Sequence, residues 1–133
     1  MSLISYICTV KNESKKIRKI IHADEFDEYY RSLDKRTVTK YDEAILYLET
    51  IYILSRKFVK KLEDAETGIF EMRVSVGTNE HRTILFAIDH ENIIQATNVI
   101  LLNSFLKKDS KEYRKQIKKA INILNNLEYG TKF

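Results

Sequence analysis

Proline is absent from this sequence and glycine occurs only three times. The residues that most often punctuate linkers are therefore missing. Nothing along the 133 residues marks a domain boundary, and one domain spanning 1–133 is expected. A single cysteine, Cys8, excludes an internal disulfide and any paired-cysteine zinc site. It lies in an apolar run, where a small buried residue is a simpler reading than a reactive thiol. No apolar run approaches the roughly 18 residues that a membrane-spanning helix needs. The start, Met1-Ser2-Leu3-Ile4-Ser5-Tyr6, lacks the basic and apolar regions of a secretory signal. A cytoplasmic location with no membrane partner is the expectation. A glycine-rich phosphate loop and a His-x-x-x-His pair are also missing. The histidines, His22, His81 and His90, fall before a helix or in and beside turns, as solvated side chains would. Neither a metal nor a cofactor is expected.

What is present is the composition of a folded chain, 44% hydrophobic and 32% charged, and long enough for one real core. The net charge of +4 is unevenly spread. Asp24 to Glu49 holds eight acidic residues against four basic, and Lys107 to Lys119 holds seven basic against two acidic. The C-terminal end is therefore the better candidate for contact with phosphates.

Leu3 to Val10 reads as a strand and Lys11 to Lys19 as a basic loop or strand edge. Asp24 is placed to cap a helix from Glu25 to about Leu33, whose Phe26, Tyr29, Tyr30 and Leu33 share a face. A second helix is expected from about Thr39 to Leu54, with Tyr41, Ala44, Ile45, Leu48, Ile51 and Tyr52 as its stripe. Its tyrosines read as core or core-edge residues rather than a base-stacking platform. Arg56 to Lys61 reads as a basic linker with Phe58 and Leu62 turned inward. From Ile69 the period changes to two: Phe70, Met72, Val74 and Val76 on one face, Glu71, Arg73 and Ser75 on the other. Gly77 to Glu80 is a turn, Arg82 to Ile88 a strand, Asp89 to Asn92 a turn, and Ile93 to Phe105 a third strand covered on both faces. Asp109 and Glu112 have capping-box spacing and open a helix that runs to about Leu127. The fold class is α+β: a strand, two helices, a three-stranded antiparallel meander completing a sheet, and a basic C-terminal helix. Helices are expected on one face of the sheet, leaving Glu71 and Arg73 on an open part of the other.

The chemistry on offer is a set of cations on adjacent strands: Arg73, Arg82, then Lys107 and Lys108, with Tyr113 one helical turn on. Such a set can hold a phosphodiester and stabilise the extra charge of a pentacoordinate transition state. Alternatively the arginines pair with Glu71 and the lysines are a solvated helix start. Composition and spacing alone favour the second.

Lys61-Leu62, Gly68-Ile69-Phe70-Glu71-Met72-Arg73-Val74, His81-Arg82-Thr83-Ile84-Leu85-Phe86 and Leu101-Leu102-Asn103-Ser104-Phe105-Leu106-Lys107-Lys108, followed by the basic helix, resemble the HigB-like, phage-derived branch of the RelE/ParE toxin superfamily. That branch carries Lys-Leu, Glu-Leu-Arg, Tyr-Arg-Val-Leu-Tyr and Phe-x-Lys-Lys in this order. The resemblance implies a RelE-like fold and the toxin of a type II toxin-antitoxin pair, acting as a metal-independent, ribosome-dependent mRNA endoribonuclease. Its partners would be mRNA, the ribosome and a cognate antitoxin of helix-turn-helix type. On this resemblance Arg82 holds the scissile phosphate, Arg73 stabilises the transition state, Lys108 supplies a cation, and Tyr113 stacks or transfers a proton. Glu71 is base or orienter, and the adjacent Arg73 favours orienter. Lys61, Lys107, Lys111, Arg114, Lys115 and Lys118 would bind RNA. His81 and Phe86 stand where the branch has tyrosines. The superfamily also holds ParE-like inhibitors of DNA gyrase, and a non-catalytic nucleic-acid binder is the third alternative.

Overall fold

The computed structural model describes residues 16–63 and 68–127. The strand expected over Leu3 to Val10 lies outside them. The elements are β1 (Lys19–His22), α1 (Asp24–Arg31), α2 (Lys35–Thr50), β2 (Val59–Lys61), β3 (Ile69–Val76), β4 (Asn79–Ala87), β5 (Asn98–Leu106) and α3 (Ser110–Asn126). The strands form one sheet in the order β1-β5-β4-β3-β2. β1 runs parallel to β5, and the other neighbours are antiparallel. This is the expected α+β architecture.

Local chemistry accounts for most boundaries. Asp109 accepts a hydrogen bond from the Glu112 N–H and starts α3, as its spacing predicts. Asp34 caps α2 in the same way through Thr37 N–H. That helix therefore begins four residues before the expected Thr39 and ends at Thr50, short of Leu54. The N-cap of α1 is Ala23, and Asp24 lies in the first turn, where a carboxylate suits the helix dipole without capping. The tight β3–β4 connection places Gly77 at φ +61°, a conformation that side-chain-bearing residues rarely adopt.

Two loops differ from expectation. Val59–Lys61, read as linker, pairs with β3 as an edge strand. The segment from Asp89 to Thr97, read partly as strand, is a loop. Asp89 folds it by accepting hydrogen bonds from the backbone N–H of Thr97 and Asn98 and from the Thr97 hydroxyl. Ile93 and Ala96 are buried from this loop, which is why the segment looks like strand in sequence.

Helices cover both faces of the sheet, not one. On the first face, Phe26, Tyr41 and Leu48 pack on Phe70, Met72, Val74, Leu85 and Leu101. On the second, Ala120, Ile123 and Leu124 of α3 pack on Ile69, Ile84, Ile100 and Leu102. A register shift after Ile84 sends Leu101 to the first core and Leu102 to the second. β5 is buried on both sides, as its apolar run predicts. Arg18, read only as part of a basic loop, is 2% exposed. Its guanidinium donates to the carbonyls of Leu48, Ile51, Tyr52, Ile93 and Ile94, closing the end of α2 onto the loop before β5.

Candidate functional site

The alternation of β3 and β4 decides which polar groups meet. Arg73 and Arg82 are direct register partners, as are Ser75 and Glu80. All four therefore lie on the second face with Glu71. α3 crosses this face, so the part carrying Glu71 is closed, contrary to expectation: Glu71 is 2% exposed. Its Oε1 lies 3.4 Å from the Nε of both Arg73 and Arg82. Its Oε2 accepts a hydrogen bond from the Tyr113 hydroxyl. One buried carboxylate is thus held by two guanidinium groups and a phenol, the kind of compensation a buried charge requires.

The arginines differ in access. Arg82 is buried at 5%, with Nη1 donating to His81 O at 3.0 Å and to Glu80 Oε1 at 3.3 Å. Its buried Nε faces Glu71 as an ion pair without a hydrogen bond. The Arg73 side chain is 35% exposed and is the cation at the surface. Glu80, read as a turn residue, is the acidic member that sequence reasoning missed. The i, i+2 spacing of Glu80 and Arg82 on one strand is the signal that places them on one face. The hydrogen bond from Ser75 and then the pairing with Arg82 hold the Glu80 carboxyl below its usual range.

Tyr113 packs edge-on against Phe105, ring centres 5.9 Å apart, and Lys107 Nζ lies 5.6 Å from the centre of its ring. Burial first, then the hydrogen bond to Glu71, raise its pKa well above that of a free phenol. It remains a proton donor at neutral pH. Asn103 donates to the Gln116 side chain and backbone, tying β5 to α3.

Arg73, Arg82, Glu71, Tyr113 and Lys107 are therefore brought together. Lys108 and Lys111 are exposed at the start of α3, and Lys115 is exposed further along it. Lys61, Arg114 and Lys118 meet elsewhere, in a cleft of about 590 Å³ between β2 and α3. Arg56 and Lys60 add to its basic rim, Leu62, Ile117 and Ile121 form its apolar lining, and Tyr113 stands at the end nearest the arginines.

His81 is not the solvated side chain that its place beside a turn suggests. It is 6% exposed, on the opposite side of the sheet from Arg82, with Nδ1 2.8 Å from the Tyr29 hydroxyl. Burial lowers its pKa. Below it, Ser104 links the Tyr41 hydroxyl at 2.6 Å to the carbonyl of Arg82 at 2.9 Å. These groups fix the strand that carries Arg82. Among the described residues no three His, Cys, Asp or Glu side chains converge as metal ligands, and no helix is long and apolar enough to cross a membrane.

Comparison with known proteins adds a family and a fold. The family described as phage derived protein Gp49-like (DUF891) matches residues 28–125. Among solved structures, a double arginine-to-alanine mutant of the E. coli toxin RelE in the free state is similar, with a TM-score of 0.54 and 11% identity. The match covers 77% of this chain and 97% of that one. No curated protein matches the sequence.

Proposed function

The chain belongs to the Gp49-like family of phage-derived proteins and has the RelE fold, and from that premise we propose that it is the toxin of a toxin-antitoxin pair and cleaves mRNA on the translating ribosome. The observation that carries this reading is the pairing of Arg73 and Arg82 about Glu71, beside Lys107 and Tyr113, with Tyr113 also lining a cation-rich cleft.

In the proposed reaction the ribose 2′-hydroxyl attacks the adjacent phosphorus. The bond to the 5′-oxygen breaks, giving a 2′,3′-cyclic phosphate and a 5′-hydroxyl end. Arg73, the exposed arginine, contacts the non-bridging oxygens. Arg82 supports it from beneath and gains phosphate contact by releasing Glu80, whose carboxylate is 44% exposed and weakly held. Both cations are oriented before substrate arrives, which is the condition for electrostatic stabilisation of a transition state. Glu71 is buried under Tyr113 and acts as a positioning residue. Glu80 is a carboxylate with access to solvent, and its depressed pKa makes it a weak base. Lys107 and Lys108 add positive charge at the rim. Lys61, Arg114 and Lys118 line the cleft as the path of the RNA backbone, with Lys111 and Lys115 on the outer surface of α3. A cognate antitoxin, of helix-turn-helix type and encoded in the neighbouring gene, masks this face.

The test is induction of the isolated gene in a bacterium, with growth and transcript 5′ ends as readouts. The wild type should arrest growth and produce new 5′-hydroxyl ends within translated regions. Arg73→Ala and Arg82→Ala should do neither, and co-expression of the neighbouring reading frame should restore growth. DNA damage with intact transcripts would replace this reading with inhibition of DNA gyrase. RNA binding without new ends would leave a non-catalytic binder.

A further inference from the structure

A second groove, of about 290 Å³, has Arg73 in its lining and shares no residue with the cleft between β2 and α3. Its first wall is Lys40, Glu43, Ala44 and Tyr47, one face of α2 at i, i+3, i+4 and i+7. Its second is Phe58 with Arg73, Val74 and Ser75 of β3. Resting on the reading of the arginine cluster as a phosphodiester site, we infer that this groove holds a nucleobase of single-stranded RNA next to the phosphate at Arg73, with Tyr47 as its stacking platform.

Five observations carry this. Tyr47 lies outside the apolar stripe of α2 and is 44% exposed. Phe58 holds its ring edge-on at 5.0 Å and 76°, so the platform is ordered before a ligand arrives. Arg73 belongs to both the cluster and the groove, so a nucleotide chain paired there has one direction that leads directly over Tyr47. Pairing of β2 with β3 ends at Val59 opposite Met72, and Arg73 N–H donates to Phe58 O. By the alternation of a strand, Ser75 is the next residue to turn its backbone toward this side, where no strand lies opposite among the described residues. Its N–H and C=O can meet the edge of a base. Finally, Lys40 and Glu43 form an exposed pair at 3.7 Å, which a phosphate can open at little cost.

The groove is small for a peptide segment and lies at the lower end of the range of ligand pockets. One ordered aromatic ring between two cations is the arrangement by which proteins take single-stranded nucleic acid, because every base has a face to stack.

The experiment uses a short single-stranded RNA, 2′-O-methylated throughout so that it cannot be cleaved, with 2-aminopurine as one base. Binding and fluorescence quenching are measured at low salt for the full chain, Tyr47→Phe and Tyr47→Ala, each checked for native thermal unfolding. The wild type and Tyr47→Phe should bind and quench alike. Tyr47→Ala should bind about 5- to 150-fold more weakly and lose the quenching, the range for removal of one stacked base. Equal binding and quenching by Tyr47→Ala overturns the subsite and leaves the cleavage reading untouched. Binding without quenching by the wild type overturns it likewise, as does loss of quenching in Tyr47→Phe. Absence of binding by the wild type overturns the subsite together with the RNA-directed function. Quenching by a wild type that produces no transcript ends upholds the subsite and removes the catalytic reading.

Discussion

Arg73 and Arg82 stand opposite each other on neighbouring strands, and a single oxygen of Glu71 lies 3.4 Å from the Nε of each. Two like charges in register destabilise a sheet. Here the carboxylate between them converts that repulsion into a fixed geometry. The sequence allows two readings of these residues, a structural ion pair and a phosphate site. They are not exclusive, because the pairing that holds the guanidinium groups is also what aims them.

Glu71→Gln keeps the shape of the side chain and removes the charge. With Glu71 and Arg82 buried and Arg73 partly in water, the expected loss is about 2–4 kcal/mol, at or below the range for breaking a buried pair. It should appear as a lower urea midpoint with an unchanged m value. A positioning role requires that RNA binding and cleavage fall together. Cleavage lost with binding intact would instead make Glu71 the base.

Tyr113→Phe removes the donor to Glu71 and leaves the ring against Phe105 and Lys107. A hydrogen bond to a charged group contributes about 1.5–3 kcal/mol, and a loss of that size is expected at neutral pH. The folded-state pKa of Tyr113 lies above the ordinary 10.0. Its contribution is therefore complete below pH about 10 and is lost as pH rises toward the folded value. Tyr29 and Tyr41, also raised by burial, add to the same alkaline window. Wild-type stability should fall above pH 10, and Tyr113→Phe should fall less steeply.

Asp89 governs the acid side. Burial pushes its pKa up, but the hydrogen bonds from Thr97 and Asn98 outweigh it and bring the value to about 2 from an ordinary 3.8. A depressed carboxylate stabilises the fold above its unfolded pKa and loses that effect as pH falls through the folded one. Wild-type stability should therefore decline between pH about 4 and 2. Asp89→Asn should be less stable at pH 7 and show a smaller acid decline, measured by thermal unfolding across that range.

Elements whose boundaries rest on local chemistry were legible in the sequence. The period-two run from Ile69 to Val76 matches β3 residue for residue, and the Asp109 cap opens α3 where its spacing predicts. The start of α2 was hidden because Lys35 and Arg36 carry no apolar period, although Asp34 offers a cap. β1 is four residues long and depends on pairing with β5, nearly eighty residues on in the chain, which no local pattern reports. The packing of α3 over Glu71 and the burial of His81 follow from how helices cross the sheet. His81 also shares a face with Thr83, by alternation, and that placed it opposite Arg82 from the start. The cations of the site were readable as a set. That Glu80 pairs with Arg82, and that Lys61 belongs with Arg114 rather than with Arg73, needed the fold.

Arg18 tests the part of the molecule that no motif announced. Its five hydrogen bonds go to backbone carbonyls at the end of α2 and in the loop before β5. Arg18→Met keeps the aliphatic stem and leaves those carbonyls without their donor. A loss of more than about 3 kcal/mol is expected, because several buried acceptors are orphaned at once. Hydrogen exchange should speed up in the last turn of α2 and across Ile93 to Thr97. Growth arrest should persist at temperatures where the variant remains folded, because Arg18 lies far in sequence and structure from the arginine cluster.

The cleft between β2 and α3 offers a quantitative check on RNA binding. Lys61 stands on one rim and Arg114 and Lys118 on the other, a helical turn apart. If each cation neutralises one phosphate, the logarithm of the binding constant for single-stranded RNA should fall with log salt by about 0.7 per contact. Each substitution to alanine should then flatten the slope by about 0.7. Affinity should drop at low salt and converge with the wild type at high salt. Lys119, exposed on the same helix but outside the cleft lining, serves as the control, and its substitution should leave the slope unchanged. An equal effect from Lys119→Ala would mean that α3 attracts RNA through its overall charge and that the cleft defines no path.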